Sequence, residues 1–431
     1  MLINFRVSNY RSVREEATLS FSKYKGSEKT ETNCFNVQLL EGVQPLELLR
    51  SLAIYGKNAS GKSNIVNALG CMRGIVLRSA QAGADAEIPV MPFLFDKETR
   101  DKPSSFEVEV VIDKVRYQYG FTATNEWIVE EWLYAFPKGR AQCWFYRSTD
   151  EELGEIFDFG EKLKGHRSVW EASTRRNALF LSTAVQLNSD QLKPIHDWFR
   201  DSLKFVNNSS IGASESSAKL CSAGEKENFI SFLRAADFAI KDIQVSHDEI
   251  DLGEFPKHVP KELVDFLQKT TKGKKQYNVI SVHDGSDEDV PLDFHYESDG
   301  TKRMFHLAGY WIEALRNGAI LVVDELHEKL HPALVNFLVS SFHSPEINKN
   351  CAQLVLTTHE TSILSQDIFR RDQIYFTDRS PKQETILYPL TDFSPKKGQD
   401  NLERSYLSGR YGGVPSVDGF SLELTLREFN K

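Results

Sequence analysis

The stretch Ile54–Asn64 reads I-Y-G-K-N-A-S-G-K-S-N, and it leaves the chain few folds to choose from. Gly56, Gly61, Lys62 and Ser63 stand in the register G-x-x-x-x-G-K-S. The apolar run Leu52, Ala53, Ile54, Tyr55 ahead of it suits a buried parallel strand. Behind it, Ile65, Leu69, Met72 and Val76 recur at helical spacing. A strand, a glycine-rich turn and a helix are what a phosphate-binding loop needs. The turn's N–H groups wrap the anion, and the positive end of the helix faces it. Gly56, Lys57, Asn58, Ala59, Ser60, Gly61, Lys62, Ser63 and Asn64 then surround the phosphates. Lys62 reaches the β- and γ-phosphates and the Ser63 hydroxyl holds Mg²⁺. The chain is expected to bind a nucleoside triphosphate.

Two further apolar runs repeat the strand signal. Ala319–Val323 ends in Asp324-Glu325, and Gln353–Thr357 ends in Thr358-His359. Three apolar strands with polar residues at their C-terminal ends describe an open parallel sheet whose ligand sits at those ends. There Asp324 can share the Mg²⁺ with Ser63, and Glu325 can polarise the water that attacks the γ-phosphate. His359 is a candidate γ-phosphate sensor, whereas His327 and His331 read as surface or interface residues. Glu297–Thr301 precedes a helix carrying Met304, Leu307, Ala308, Trp311, Ile312 and Leu315. Its N–H groups and the Ser298 hydroxyl can form an anion-binding nest; taken alone, the turn reads as a helix cap.

Around these strands the chain changes texture. Residues 1–21 alternate as two strands across the polar turn Asn9–Ser12, and residues 22–50 look irregular. Residues 105–123 alternate on either side of Asp113-Lys114 as a hairpin, and 127–147 continue in that style. From about 150, helical spacing takes over in Arg175–Leu187, Asp190–Leu203 and Glu225–Ile243, with serine-rich loops between. Leu292, Phe294 and Tyr296 alternate as one more strand. The division expected is 1–150 for a first lobe, 151–289 for a mostly helical insertion, 290–375 for a second lobe and 376–431 for a tail.

Composition narrows the setting. A net charge of −9 does not fit a surface coated for nucleic acid, which leaves only a local basic groove as a means of contacting DNA. Lys269, Lys272, Lys274 and Lys275, or Arg175 and Arg176, are the residues that could supply one. Five scattered cysteines, none in C-x-x-C spacing, fit reduced thiols in the cytoplasm and neither a zinc site nor a disulfide frame. No apolar run approaches the length needed to span a bilayer.

The order phosphate loop, nest and helix, Asp-Glu strand, His strand resembles the ABC-type ATPase head of structural-maintenance-of-chromosomes, Rad-fifty-like and RecF-like proteins. The residues that carry the resemblance are I-N-F-R-V-S-N-Y-R-S at Ile3–Ser12, G-K-N-A-S-G-K-S-N, E-S-D-G-T, L-V-V-D-E-L, L-H-P and T-T-H. It implies an α/β fold with a mixed β lobe and a parallel-sheet lobe, ATP and Mg²⁺ as ligands, and catalytic roles for Glu325 and His359. It further implies two heads dimerising head to tail, with Ser298, Asp299 and Gly300 of one copy on the nucleotide of the other, and Arg11 near that nucleotide. Within this class the chain is similar to the AAA-fifteen/AAA-twenty-one ATPases of abortive-infection systems, of the RloA or AbiL type. Ser104–Glu109, Tyr117–Phe121, Glu131–Tyr134, Leu179–Ser182, Arg370–Ile374 and, above all, Tyr406–Pro415 support this. The resemblance implies an anti-phage switch that controls a separate effector, a nuclease being the candidate, with assembly beyond the dimer left open. The chain departs from the pattern in lacking L-S-G-G-Q and a glutamine for the Q-loop, whose region holds Met91-Pro92-Phe93. Only residues 360–431 follow His359, and they hold no acidic set for a two-metal nuclease. A RecF-like DNA-repair ATPase and a non-enzymatic scaffold with structural nucleotide are the competing readings.

Overall fold

The computed structural model describes residues 1–150, 154–206, 215–222, 224–249, 275–396, 398 and 400–415, together with residues 259 and 264. Its contacts group into two compact units: Met1–Phe205 with Leu315–His327 and Val339–Lys431, and Val206–Ala314 with Glu328–Leu338.

The first unit packs two sheets about one helix. The antiparallel sheet runs, edge to edge, Gly154–Phe159, Gln142–Asp150, Ile128–Ala135, Val115–Ala123, Ser104–Ile112, Leu2–Ser8 and Ala17–Ser20. Its Asp113-Lys114 hairpin pairs Ile112 with Val115, and both turn residues take positive φ, as a two-residue hairpin requires. The second sheet runs Leu203–Phe205, Ile320–Val323, Gln353–Thr357, Ser51–Gly56, Ile374–Arg379 and Thr385–Pro389. All its neighbours are parallel except the last pair. The three apolar strands expected from the sequence lie side by side in it, and all are buried. The helix Lys62–Arg78 buries Ile65, Leu69, Met72 and Val76 in a core shared with Phe5 and Val7 of one sheet and Ile54, Val322 and Val355 of the other.

Several expectations are corrected. Residues 22–50 are not irregular: Cys34–Val37 pairs with Leu46–Leu49 as a hairpin. The compact units part at Phe205/Val206 rather than near 150. The physical reason is that Gly154–Phe159 adds to the antiparallel sheet, and the buried carboxylate of Glu131 takes the N–H groups of Phe180 (2.6 Å) and Leu181 (3.0 Å). Glu131 also meets the fully buried Arg147 at 3.9 Å, and Arg147 in turn pairs with Glu155 at 2.8 Å and donates to Ala178 O at 2.6 Å, which ties the segment ahead of the helix Phe180–Gln186 to the sheet. Arg175 does not offer itself to DNA: its guanidinium donates to the carbonyls of Ala80 (3.1 Å) and Ala82 (2.6 Å), and Arg176 lies over the Trp127 ring. Of the lysine run, residues 269–274 fall outside the described residues.

The second unit contains the helices Glu215–Ser222 and Lys226–Ala235 and a three-stranded antiparallel sheet, Asp242–Glu249, Lys275–Asp284 and Asp289–Asp293. The expectation of a mostly helical insertion did not include this sheet. Phe305 joins its parts, with Phe294 at 4.6 Å and Phe229 at 5.1 Å between ring centroids. Gly309 permits a close approach, since a Cβ there would stand 2.5 Å from Ser217 Oγ. The strand expected over 290–296 stops at Asp293, whose carboxylate accepts the His295 N–H at 2.8 Å and turns Phe294–Tyr296 into a 3-10 turn.

Candidate functional site

The phosphate loop leaves the strand Ser51–Gly56 and enters the helix Lys62–Arg78 as the sequence requires. Gly61 has φ of 102°, and a Cβ there would meet Thr385 Oγ1 at 1.9 Å. Gly56 is similarly closed in, with Thr377 Oγ1 2.3 Å from where its Cβ would be. Two threonines of neighbouring strands therefore mould the loop from behind. Ser60 Oγ bonds Thr377 Oγ1 at 2.6 Å, and Thr385 Oγ1 donates to Ser60 O at 2.9 Å. The Ser60 hydroxyl is thus committed to the scaffold. Lys57 pairs with Asp378 at 2.7 Å, while Asn58 and Ala59 are exposed at the tip.

Lys62 is 5% exposed, and its ammonium donates to the loop's own carbonyls, Gly56 O at 2.8 Å and Lys57 O at 3.2 Å. Burial lowers its pKa to about 8 against the opposing fields of Glu325 and Asp324. A cation folded back onto its own loop, behind glycines that leave no room for side chains, is a donor set fitted to phosphate oxygens. Ser63 follows it, half-buried at the start of the helix.

Asp324 and Glu325 stand at the C-terminal end of the strand Ile320–Val323. What orients them is Thr357, which the sequence marked only as the first residue of T-T-H, with no role of its own. Its fully buried hydroxyl donates to Asp324 Oδ1 at 2.5 Å and accepts the Glu325 N–H at 2.8 Å. Its carbonyl takes the Leu326 N–H at 3.1 Å. Glu325 itself has φ of 51°, a left-handed conformation that a glutamate does not hold without such support.

His359 is half-buried beyond the next strand, and burial, then the charge of Lys62, lowers its pKa to about 4. It is neutral at pH 7 and able to donate one hydrogen bond. His327, read from sequence as a surface or interface residue, is in fact part of this corner. Its ring meets that of His359 edge-on at 5.5 Å, and its Nδ1 lies 3.2 Å from Thr358 Oγ1. His331 instead caps a helix, accepting the Ala333 N–H at 3.2 Å.

The opening motif is a clamp. Asn9 donates to the carbonyls of Thr99 and Lys102 (2.8 Å each) and accepts the Phe93 N–H at 3.0 Å. This fixes the segment through Met91, whose carbonyl takes the Arg11 N–H at 2.7 Å. The exposed Arg11 reaches Asn64 Oδ1 at 3.5 Å, and Asn64 donates to Ser12 Oγ at 2.7 Å, so Arg11 lies beside the loop.

The segment Tyr406–Pro415 packs within the first unit beside the phosphate loop, where a Cβ on Gly413 would lie 3.4 Å from Gly56 Cα. Tyr406 and Tyr411 stack on Phe376 at 5.3 and 5.5 Å, and the Gly413 N–H donates to Asp378 at 3.2 Å. Asp378, absent from the sequence reading, thus joins Lys57 of the loop to the C-terminal segment.

Ser298, Asp299 and Gly300 lie in the second unit. Ser298 Oγ caps the helix Asp299–Asn317, accepting the Thr301 N–H at 3.1 Å and bonding Thr301 Oγ1 at 2.8 Å. Asp299 pairs with Lys329 at 3.1 Å.

No helix of the described residues is long and apolar enough to cross a membrane. Comparison with solved structures finds an Smc head bound to the C-winged helix domain of ScpA, 13% identical, covering 91% of this chain and 98% of that one with a TM-score of 0.39. A second is the Smc head with an extended coiled coil bound to the C-terminal domain of ScpA, derived from Pyrococcus furiosus. It is 11% identical and covers 91% of this chain and 97% of that one, with a TM-score of 0.40. Comparison with curated proteins finds no match. The sequence model of the family AAA_21, described as "AAA domain, putative AbiEii toxin, Type IV TA system", matches residues 51–365, which take in the phosphate loop, Asp324, Glu325 and His359. The chain belongs to the AAA_21 family of P-loop ATPases.

Proposed function

We propose that the chain is a switch ATPase of a prokaryotic anti-phage system, in which ATP held between two copies sets the state of a separate effector, a nuclease being the candidate. The observation that carries the reading is the convergence of Lys62, Asp324, Glu325 and His359 at one edge of one parallel sheet. Lys62 neutralises the β- and γ-phosphates, and the loop N–H groups hold them in place. Ser63 and Asp324 would hold Mg²⁺, which screens the phosphate charge when bound. Glu325, fixed by Thr357, polarises the attacking water, and neutral His359 donates to the γ-phosphate. Ser298, Asp299 and Gly300 of the second copy complete the site, so loss of the γ-phosphate loosens the pair. The toxin–antitoxin description of the family supports a place in defence.

The test is sedimentation of the Glu325→Gln protein with and without ATP–Mg²⁺, beside Lys62→Ala. Trapping of an ATP-dependent dimer in Glu325→Gln alone is expected. A Glu325→Gln protein that neither binds ATP nor changes its assembly would overturn the proposal. Wild-type turnover indistinguishable from that of Lys62→Ala would instead favour a scaffold with structural nucleotide.

A further inference from the structure

Glu297 opens the E-S-D-G-T turn, and only 8% of its side chain is exposed. Two side chains of one strand converge on a single carboxylate oxygen. Ser281 Oγ donates to Glu297 Oε1 at 2.5 Å, and His283 Nε2 stands 2.6 Å from the same atom. Ser281 and His283 are two residues apart in Lys275–Asp284, so the pleat turns both to one face. Each also has a main-chain carbonyl close by. His283 Nδ1 lies 3.0 Å from Ala239 O, and Ser281 Oγ lies 3.2 Å from Leu292 O.

A carboxylate this buried stabilises less than an apolar side chain of the same size would, so packing gives no reason for it. What it does supply is direction. Two groups fix one oxygen of Glu297, and the next residue, Ser298, begins the helix cap. We infer that Ser281 and His283 are positioning residues that hold the Ser298–Gly300 turn through the Glu297 carboxylate. They make the three-stranded sheet the support for the contact this turn offers to a second copy's nucleotide. The inference rests on the head-to-tail reading above and assigns that contact a support outside the ATP-binding unit.

The experiment measures, on the full chain in the Glu325→Gln background, both ATP affinity and the protein concentration at which ATP drives assembly. The variants are His283→Ala, His283→Gln, Glu297→Gln and Ser281→Ala, with Ser298→Arg as a block of the contact itself. His283→Ala and Glu297→Gln are expected to keep the parental ATP affinity while needing roughly tenfold more protein to assemble, the scale of one charge-assisted hydrogen bond. His283→Gln, whose amide still donates, regains most of the loss. Ser281→Ala removes one hydroxyl and carries the same test if Glu297→Gln fails to fold. Assembly of His283→Ala and Glu297→Gln at parental concentrations while Ser298→Arg fails to assemble would overturn this inference and leave the head-to-tail reading standing. So would equal weakening in His283→Ala and His283→Gln. Normal assembly of Ser298→Arg would remove the head-to-tail reading itself.

Discussion

Replacing Thr357 by Val keeps the volume of a fully buried side chain and deletes one hydroxyl. That hydroxyl makes two bonds at the catalytic edge: it donates to Asp324 Oδ1 at 2.5 Å and accepts from the Glu325 N–H at 2.8 Å. The first involves a charge and is worth about 1.5–3 kcal/mol. Losing the second leaves the N–H of a left-handed Glu325 without its acceptor. Both losses act on the orientation of Asp324 and Glu325, and neither touches Lys62 or the loop. At about 1.4 kcal/mol per factor of ten, kcat for ATP should fall roughly ten- to a hundredfold. ATP affinity, set by the loop, should stay near that of the wild type. Thr357→Ser restores the hydroxyl and should recover most of the rate. Phosphate release under single-turnover conditions, beside equilibrium binding of a fluorescent ATP analogue, reads the two quantities separately. A Thr357→Val protein that hydrolyses ATP within about twofold of the wild type would refute the argument that this hydroxyl sets the acidic pair.

Three other outcomes follow from the same geometry. The Lys62 pKa of about 8 in the free protein rises when phosphate oxygens replace loop carbonyls, so ATP affinity should be full below pH 8 and fall above it. Calorimetry in buffers of different ionisation heat should show proton uptake on binding near pH 9 and none near pH 7, and an affinity independent of pH would contradict this. His359 should remain neutral down to about pH 5, seen as the chemical shift of its labelled ring, and an ordinary histidine midpoint would show that burial and Lys62 do not govern it. Asp378→Asn should weaken both the Lys57 pair and the Gly413 contact, exposing residues 402–415 to limited proteolysis; unchanged protection would show that Asp378 does not join loop and C-terminal segment.

Much of this molecule is local and was therefore legible. The phosphate loop is a contiguous pattern, and the buried strands ending in Asp324-Glu325 and Thr358-His359 are apolar runs with polar ends. The Asp113-Lys114 hairpin is alternation on both sides of a turn. Such features are written in neighbouring residues, because backbone geometry dictates their spacing. Thr377, Thr385 and Asp378 carried no such mark, and Thr357 was visible only as part of T-T-H, without a role. Each acquires its role from strand order, which sets Gln353–Thr357 beside Ile320–Val323 and Ile374–Arg379 beside Ser51–Gly56. A lone hydroxyl or carboxylate has no periodicity, so only its partner across the sheet says what it does. The same holds for Glu131 and Arg147, charged types that ordinarily face solvent, and for Glu297 beneath Ser281 and His283. The amino-acid sequence alone determined which chemistry the chain can hold. The tertiary structure decided which distant side chains hold that chemistry in place, because orientation depends on contacts between strands that the chain brings together only on folding.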